Sequence, residues 1–204
     1  MKILTRITAT IMFLFGSQVV AGPAEDATAA VQKATDVLLT KLVEVQPVYE
    51  SDPDRFFAEV DSALAPFVDF EGFSRGVMAK YYRRATDDQK QRFEETFRDG
   101  LIRTYAKALV EFDNQQVVVK EGTSPAGEPD RASVDIEIQG KGGDVYVVNY
   151  SLRNVEGKWM LRNVTIEGIN IGLQFRSQFG AYMQQYRNNI DKVIENWTVD
   201  VSEA

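Results

Sequence analysis

The sequence predicts an α+β domain in which helices pack on one face of an antiparallel four-stranded sheet. Three observations carry that prediction. Apolar residues recur in steps of three and four from about residue 24 to 113, the spacing of one helix face. Between about 115 and 168 the period drops to two, and turn residues fall at short intervals. From 170 to 198 the helical spacing returns. Helices, then a strand meander, then a helix is the order of an α+β fold and not of alternating βαβ units.

The first 21 residues stand apart from this pattern. Lys2 and Arg6 precede a short apolar run from Ile7 to Phe15, and Val19-Val20-Ala21 follows. This layout predicts a secretory signal peptide cleaved after Ala21. The run is too short to cross a hydrocarbon core of about 30 Å comfortably. Residues 22–204 are then expected to form one domain. Its helical part covers about 24–113 and 170–198, and its sheet covers about 115–168.

Within the domain, Ala27, Val31, Ala34, Leu38, Leu42 and Val45 form the stripe of a first helix, stopped by Pro47. Asp52-Pro53 reads as the cap and first-turn proline of a second, with Phe56, Val60, Leu64 and Phe67 turned inward. Phe70, Phe73, Val77 and Tyr81 mark a third piece, in which Gly72 and Gly76 each weaken the helix by about 1 kcal/mol relative to alanine. Thr86-Asp87-Asp88-Gln89 is a capping box. The long helix it opens carries Phe93, Phe97, Leu101, Tyr105, Leu109 and Phe112.

Gln116 to Lys120 then reads as a short strand, followed by a polar loop from Gly122 to Pro129. Val134, Ile136 and Ile138 alternate with Ser133, Asp135 and Glu137, the pattern of a half-buried strand. Gly140-Lys141-Gly142-Gly143 turns the chain, and Val145 to Leu152 returns with Tyr146, Val148, Tyr150 and Leu152 on one side. Val155-Glu156-Gly157-Lys158 turns again, and Trp159 to Ile166 is the fourth strand. Such short loops join antiparallel neighbours. Gly168 is expected to end the sheet. One last helix is expected from Leu173 through Phe175, Phe179, Met183, Tyr186, Ile190, Val193 and Trp197.

The chemistry on offer is narrow. Gly72-Phe73-Ser74-Arg75-Gly76 fits G-x-S-x-G, the turn that presents a nucleophilic serine in hydrolases. That chemistry needs a base beside the serine, and the chain contains no histidine. The stretch also lies on a helical pattern and follows no strand. Without histidine or cysteine, metal ligands reduce to carboxylates and carbonyls, and no EF-hand or phosphate-cradling glycine motif is present. No metal or cofactor is therefore expected. The pairs Asp87-Asp88, Glu94-Glu95 and Asp135 with Glu137 read as solvated charges. The net charge of −7 argues against nucleic acid as a partner and against adsorption to an anionic bilayer. Arg75, Lys80, Arg83 and Arg84 form a basic run, read either as an exposed helix face or as a docking patch. Export without cysteine suits a periplasm.

Two segments carry more specific information. Residues 68–109 read VDFEGFSRGVMAKYYRRATDDQKQRFEETFRDGLIRTYAKAL, and residues 159–179 read WMLRNVTIEGINIGLQFRSQF. Together they resemble the MlaC, or toluene-tolerance auxiliary, family. The matching elements are Asp69-Phe70, Lys80-Tyr81, Arg83, Ala85-Thr86, Gln89, Phe93, Phe97 and Thr104-Tyr105-Ala106. Further on they are Trp159, Val164, Glu167-Gly168, Arg176 and Gln178-Phe179. Ala79 stands where the family usually has glycine and Tyr82 where tryptophan is common. Asn163 replaces an aspartate and Asn170 a serine. The resemblance implies a cystatin/NTF2-like sheet with helices closing a lipid cavity. It also implies a periplasmic carrier that moves phospholipid between the outer and inner membranes and keeps outer-membrane lipid asymmetry. The implied partners are phospholipid, an inner-membrane ABC transporter complex and an outer-membrane lipoprotein complex. A monomer is expected.

Elementary energetics agree with such a role. Two sixteen-carbon tails hold on the order of 25 kcal/mol of gross burial energy, so free lipid crosses water far too slowly. Enclosing the tails removes most of that barrier and requires no catalytic group. The expected lining is Phe97, Leu101 and Tyr105 on the long helix, and Val134, Ile136, Val148, Tyr150, Leu152 and Val164 on the sheet. Ile169, Leu173 and Phe175 complete it. Periodicity does not distinguish a hollow interior from a filled one. Two other readings therefore stand beside the carrier: an NTF2-like enzyme using a carboxylate or tyrosine in an apolar pocket, and an adaptor with a filled core.

Overall fold

The computed structural model describes residues 22–110, 115–140 and 142–199. The expected signal peptide, Phe112 and Lys141 lie outside the described residues. Helix α1 (Pro23–Val45) ends in a 3-10 turn (Gln46–Val48), and α2 (Pro53–Leu64) follows. Asp52 caps α2 by accepting the Arg55 N–H at 3.1 Å. Helix α3 (Phe70–Met78) runs into a 3-10 segment (Ala79–Arg84), and α4 (Asp87–Leu109) follows. The capping box forms as read: Thr86 Oγ1 accepts the Gln89 N–H at 3.2 Å, and Gln89 Oε1 accepts the Thr86 N–H at 3.0 Å.

Five strands, not four, form one antiparallel sheet in sequence order: β1 (Val117–Val119), β2 (Arg131–Gln139), β3 (Val145–Val155), β4 (Lys158–Ile166) and β5 (Ile169–Asn170). The extra strand arises at Glu167-Gly168, where φ values of 48° and 82° make a tight two-residue hairpin. Gly168 thus returns the chain along β4 instead of ending the sheet. The Glu156-Gly157 pair, at 51° and 85°, makes the same kind of turn between β3 and β4.

The last helix is also two, α5 (Ile171–Gln185) and α6 (Ile190–Glu195). Arg187 and Asn188 between them take positive φ values of 53° and 63°. Asn189 then caps α6 by accepting the Lys192 N–H at 3.1 Å. The apolar spacing continues across this break because both helices feed the same core.

On the sheet, Val134 pairs with Tyr150 and Ile136 with Val148, so these residues share the helix-facing side. A bulge at Ser151/Leu152 shifts the register of β4. Leu161 before it and Val164 and Ile166 after it therefore reach one face despite their odd and even numbers. The opposite face is polar. There the Asn149 amide donates to Ser133 Oγ at 2.7 Å and to Asp135 Oδ1 at 2.6 Å.

The buried residues fall into three clusters. Aromatic rings of α3 to α6 form one, with Phe93, Phe97, Phe175, Phe179 and Trp197 in mutual contact at centroid distances of 4.9 to 6.3 Å. The start of α1 packs Ala27 and Val31 on Ala132, Val134 and Ile136 of β2 in the second. Thr28 ties that helix to the loop after β1 by accepting the Gly122 N–H at 2.8 Å. The third joins the end of α1 and α2 to α4 through Leu42, Val45, Phe56, Val60, Ile102 and Ala106.

Candidate functional site

Where the three clusters meet they do not merge. The space between them is a cavity of about 290 Å³. Its sheet wall is Val148, Tyr150, Leu161, Val164 and Ile166. Its helix walls bring Leu38 from α1, Val60 and Leu64 from α2, Phe70 and Phe73 from α3, Leu101, Ile102, Tyr105, Ala106 and Leu109 from α4, and Ile171 from α5. A smaller hollow of about 70 Å³ adjoins it beneath α1. The two share Leu38, Leu64, Val68, Tyr150 and Leu161. Native interiors hold few voids larger than a water molecule, so this space is a built feature.

The expected lining divides accordingly. Leu101, Tyr105, Val148, Tyr150 and Val164 stand on the main wall, and Leu152 stands on the smaller hollow. Phe97 and Phe175 do not line the cavity. Phe97 is 0% exposed, with its ring 5.2 Å from Phe73 and 5.4 Å from Phe175. The reason is helical geometry: each four-residue step overshoots a turn by about 40°, so a stripe of such steps spirals around the helix. Phe93 and Phe97 face the aromatic core, and Leu101, Tyr105 and Leu109 have rotated toward the cavity.

Val134 and Ile136 lie on the expected sheet face but are covered by Ala27 and Val31 of α1. Ile169 and Leu173 are exposed, because the β4–β5 hairpin and the first turn of α5 project outward. Sequence reasoning missed the contributions of α1, α2 and α3, above all Leu38, Val60, Leu64 and Phe73. Their apolar spacing was visible, but nothing in it separates a residue facing a void from one facing a neighbour.

Beside Val68 and Leu161 of the wall runs a polar seam. Phe67 and Asp69 exchange backbone hydrogen bonds with Leu161 of β4, at 2.8 and 2.9 Å. Arg162 donates to Asp69 Oδ2 at 2.5 Å, and Asp69 Oδ1 accepts the Gly72 N–H at 2.8 Å. A β-carbon at Gly72 would lie 2.3 Å from Asp69 and 2.4 Å from Arg162. Gly72 is therefore explained by this ion pair, not by a nucleophile turn. Ser74 is buried within α3 and donates to the Glu71 carbonyl at 3.0 Å, so its oxygen is not presented to a substrate.

The two asparagines that depart from the family pattern meet here as well. Asn163 donates to Asn170 Oδ1 at 3.0 Å, and its own Oδ1 accepts the Gly172 N–H at 2.9 Å. The basic residues lie elsewhere, on the exposed surface. Arg75 is 3.9 Å from Glu71, and Lys80 sits over the Tyr81 ring at 5.1 Å. Among the described residues no carboxylate pairs with Arg83 or Arg84. No group of histidine, cysteine or carboxylate side chains suited to a metal occurs among the described residues.

Electrostatically the cavity is bland. Among the described residues its only polar side-chain groups are the Tyr105 and Tyr150 phenols, whose pKa values burial pushes up. Glu94 is raised by partial burial and by the neighbouring Glu71 carboxylate, but it lies outside the cavity wall.

A family model described as MlaC protein matches residues 32–199. The toluene tolerance protein ttg2D of Pseudomonas putida is 41% identical over 175 residues, 85% of this chain and 80% of that protein. The intermembrane phospholipid transport system binding protein MlaC of Haemophilus influenzae is 24% identical over 143 residues, 69% of this chain and 66% of that one. Among solved structures, a phospholipid-binding protein from Ralstonia solanacearum in complex with a phospholipid shares the fold. It superposes with a TM-score of 0.75 at 24% identity, over 83% of this chain and 93% of its own. A family model spanning most of the sequence, and a relative at 41% identity over most of both chains, mean that this chain belongs to the MlaC family.

Proposed function

We propose that this chain is a periplasmic phospholipid carrier that shuttles lipid between the outer and inner membranes and so maintains outer-membrane lipid asymmetry. The observation that carries the reading is the hydrocarbon-walled cavity of about 290 Å³. An engineered apolar cavity of about 150 Å³ already stays dry and takes up benzene, so a larger one of the same character favours alkyl chains over water. The names of the Haemophilus relative and the Ralstonia neighbour both specify phospholipid, which supports the same occupant. Leu101, Tyr105, Val148, Tyr150 and Val164 are the residues we assign to the tails.

Among the described residues the lining offers no carboxylate, and burial keeps its phenols neutral, which favours a carrier over an enzyme on this fold. Residues 1–21 would direct export. Among the described residues no helix is long and apolar enough to cross a membrane. A net charge of −7 keeps the protein off anionic bilayers. Transfer therefore goes through docking, for which we assign the inner-membrane ABC transporter and outer-membrane lipoprotein complexes as partners. Arg75, Lys80, Arg83 and Arg84 are the contact residues in that scheme. A cystatin/NTF2-like ancestry of the sheet belongs to the same proposal.

Native mass spectrometry of the purified protein, followed by organic extraction, tests the function. Phospholipid retained near one molecule per chain is expected. Protein that emerges empty and refuses added phospholipid overturns the reading.

A further inference from the structure

Among the described residues the cavity wall is hydrocarbon at every side chain but two, Tyr105 on α4 and Tyr150 on β3. They approach the space from opposite sides, one from the helix wall and one from the sheet wall. Neither hydroxyl has a hydrogen-bond partner among the described residues. The sole polar side-chain atom sealed in without a partner among those residues is Trp197 Nε1. The Tyr150 hydroxyl is therefore not sealed in, and its residue lines the cavity. Burial raises the pKa of both phenols, so both remain protonated and act as donors.

A buried hydroxyl without an acceptor is costly, and native interiors satisfy nearly all such groups. When alkyl tails fill the space they displace water from these phenols, and no other polar side chain among the described residues lines the wall to replace it. A phosphate is a poor acceptor there: its charge would enter a wall whose described side chains carry no cation. The acceptor has to be neutral and attached to a long alkyl chain.

We propose that Tyr105 and Tyr150 donate hydrogen bonds to the acyl-ester carbonyl oxygens of a diacyl phospholipid, fixing how far its glycerol end enters and favouring ester-linked over ether-linked lipids. A diacyl lipid carries two such carbonyls, and the cavity presents two donors from facing walls. A dialkyl ether lipid of equal length fills the same volume and leaves the donors without a carbonyl. This assignment rests on the carrier reading above and adds the polar half of recognition to it.

The test is competitive loading of the delipidated full protein with dipalmitoyl-phosphatidylcholine and its dihexadecyl ether analogue, read as the ratio of the two complexes by native mass spectrometry. The wild-type chain is expected to favour the ester by about tenfold, the yield of one or two net hydrogen bonds. Tyr105→Phe and Tyr150→Phe should each narrow that ratio by about threefold, and the double variant should bring it close to one. A wild-type ratio near one overturns the assignment and needs no variant to fold. So does an unchanged ratio in both single variants. A wild-type protein that loads neither lipid removes the carrier reading and this assignment together, whereas equal loading of both removes this assignment alone.

Discussion

Replacing Ala106 by phenylalanine separates a hollow interior from a filled one by the sign of a single number. Ala106 is 3% exposed and lies on the cavity wall of α4, flanked by Ile102 and Tyr105. A cavity of about 290 Å³ forfeits packing along its wall. A phenyl ring placed in the void recovers part of it. Burying a phenylalanine side chain gives about 2 kcal/mol, from which about 0.5 kcal/mol is lost to poorer helix propensity. A net gain of about 1.5 kcal/mol raises the melting temperature by about 3–6 °C for a domain of this size. If the same site were solidly packed, the ring would instead cost about 1–3 kcal/mol through strain. Calorimetry on lipid-free wild type and variant reads the difference. The ring also occupies tail volume, so retained phospholipid should fall as the melting temperature rises. A lipid-free variant that melts several degrees below wild type, while still loading lipid to the wild-type level, would refute the reasoning.

Three further outcomes follow from other parts of the molecule. Ala79 holds φ 49° and ψ −121°, a conformation that glycine adopts freely and alanine does not, so Ala79→Gly should stabilise the fold by about 1 kcal/mol in thermal or urea unfolding. Hydrogen bonds from Arg92 and Gln89 hold the Asp191 carboxyl below the usual carboxylate range, tying α6 to α4. Its folded-state pKa is depressed, so its contribution is complete above the ordinary carboxylate value and lost as pH falls through the depressed one. Asp191→Asn should therefore flatten the fall of the melting temperature below the ordinary carboxylate range relative to wild type. Reversing the charges of Arg83 and Arg84 together should leave lipid loading intact and weaken binding to the partner complexes, measured by pull-down at low salt. Unchanged capture would remove the basic run from the docking surface.

Much of the architecture was legible because it depends on local physics. The Thr86 and Asp52 caps, the two long helices and the strand alternation each follow from a few neighbouring residues, and each formed as read. Miscounts came where one signal served two purposes. Glu167-Gly168 looks like a terminator because glycine breaks strands, yet it is also a hairpin turn, and the two-residue strand beyond it is too short to show a period. Apolar spacing ran smoothly from α5 into α6 because both helices feed the aromatic core, which hid the break at Arg187-Asn188.

The cavity is the harder case, and its difficulty is physical. Phe97 and Leu101 are one helical step apart on the same stripe, yet one is clasped by three phenylalanine rings and the other looks onto open space. Nothing in their chemistry distinguishes them. What decides is that α1 begins on β2 and ends on α2 and α4, crossing from one cluster to another, with the cavity between that course and the sheet residues Val148, Tyr150 and Val164. The seam at Asp69 and Arg162 then fastens that layer to the sheet on one side, through a glycine whose absent side chain makes room for the pair. Hollowness is thus a property of how three well-packed cores are held apart. A sequence writes down the cores without writing down the distance between them.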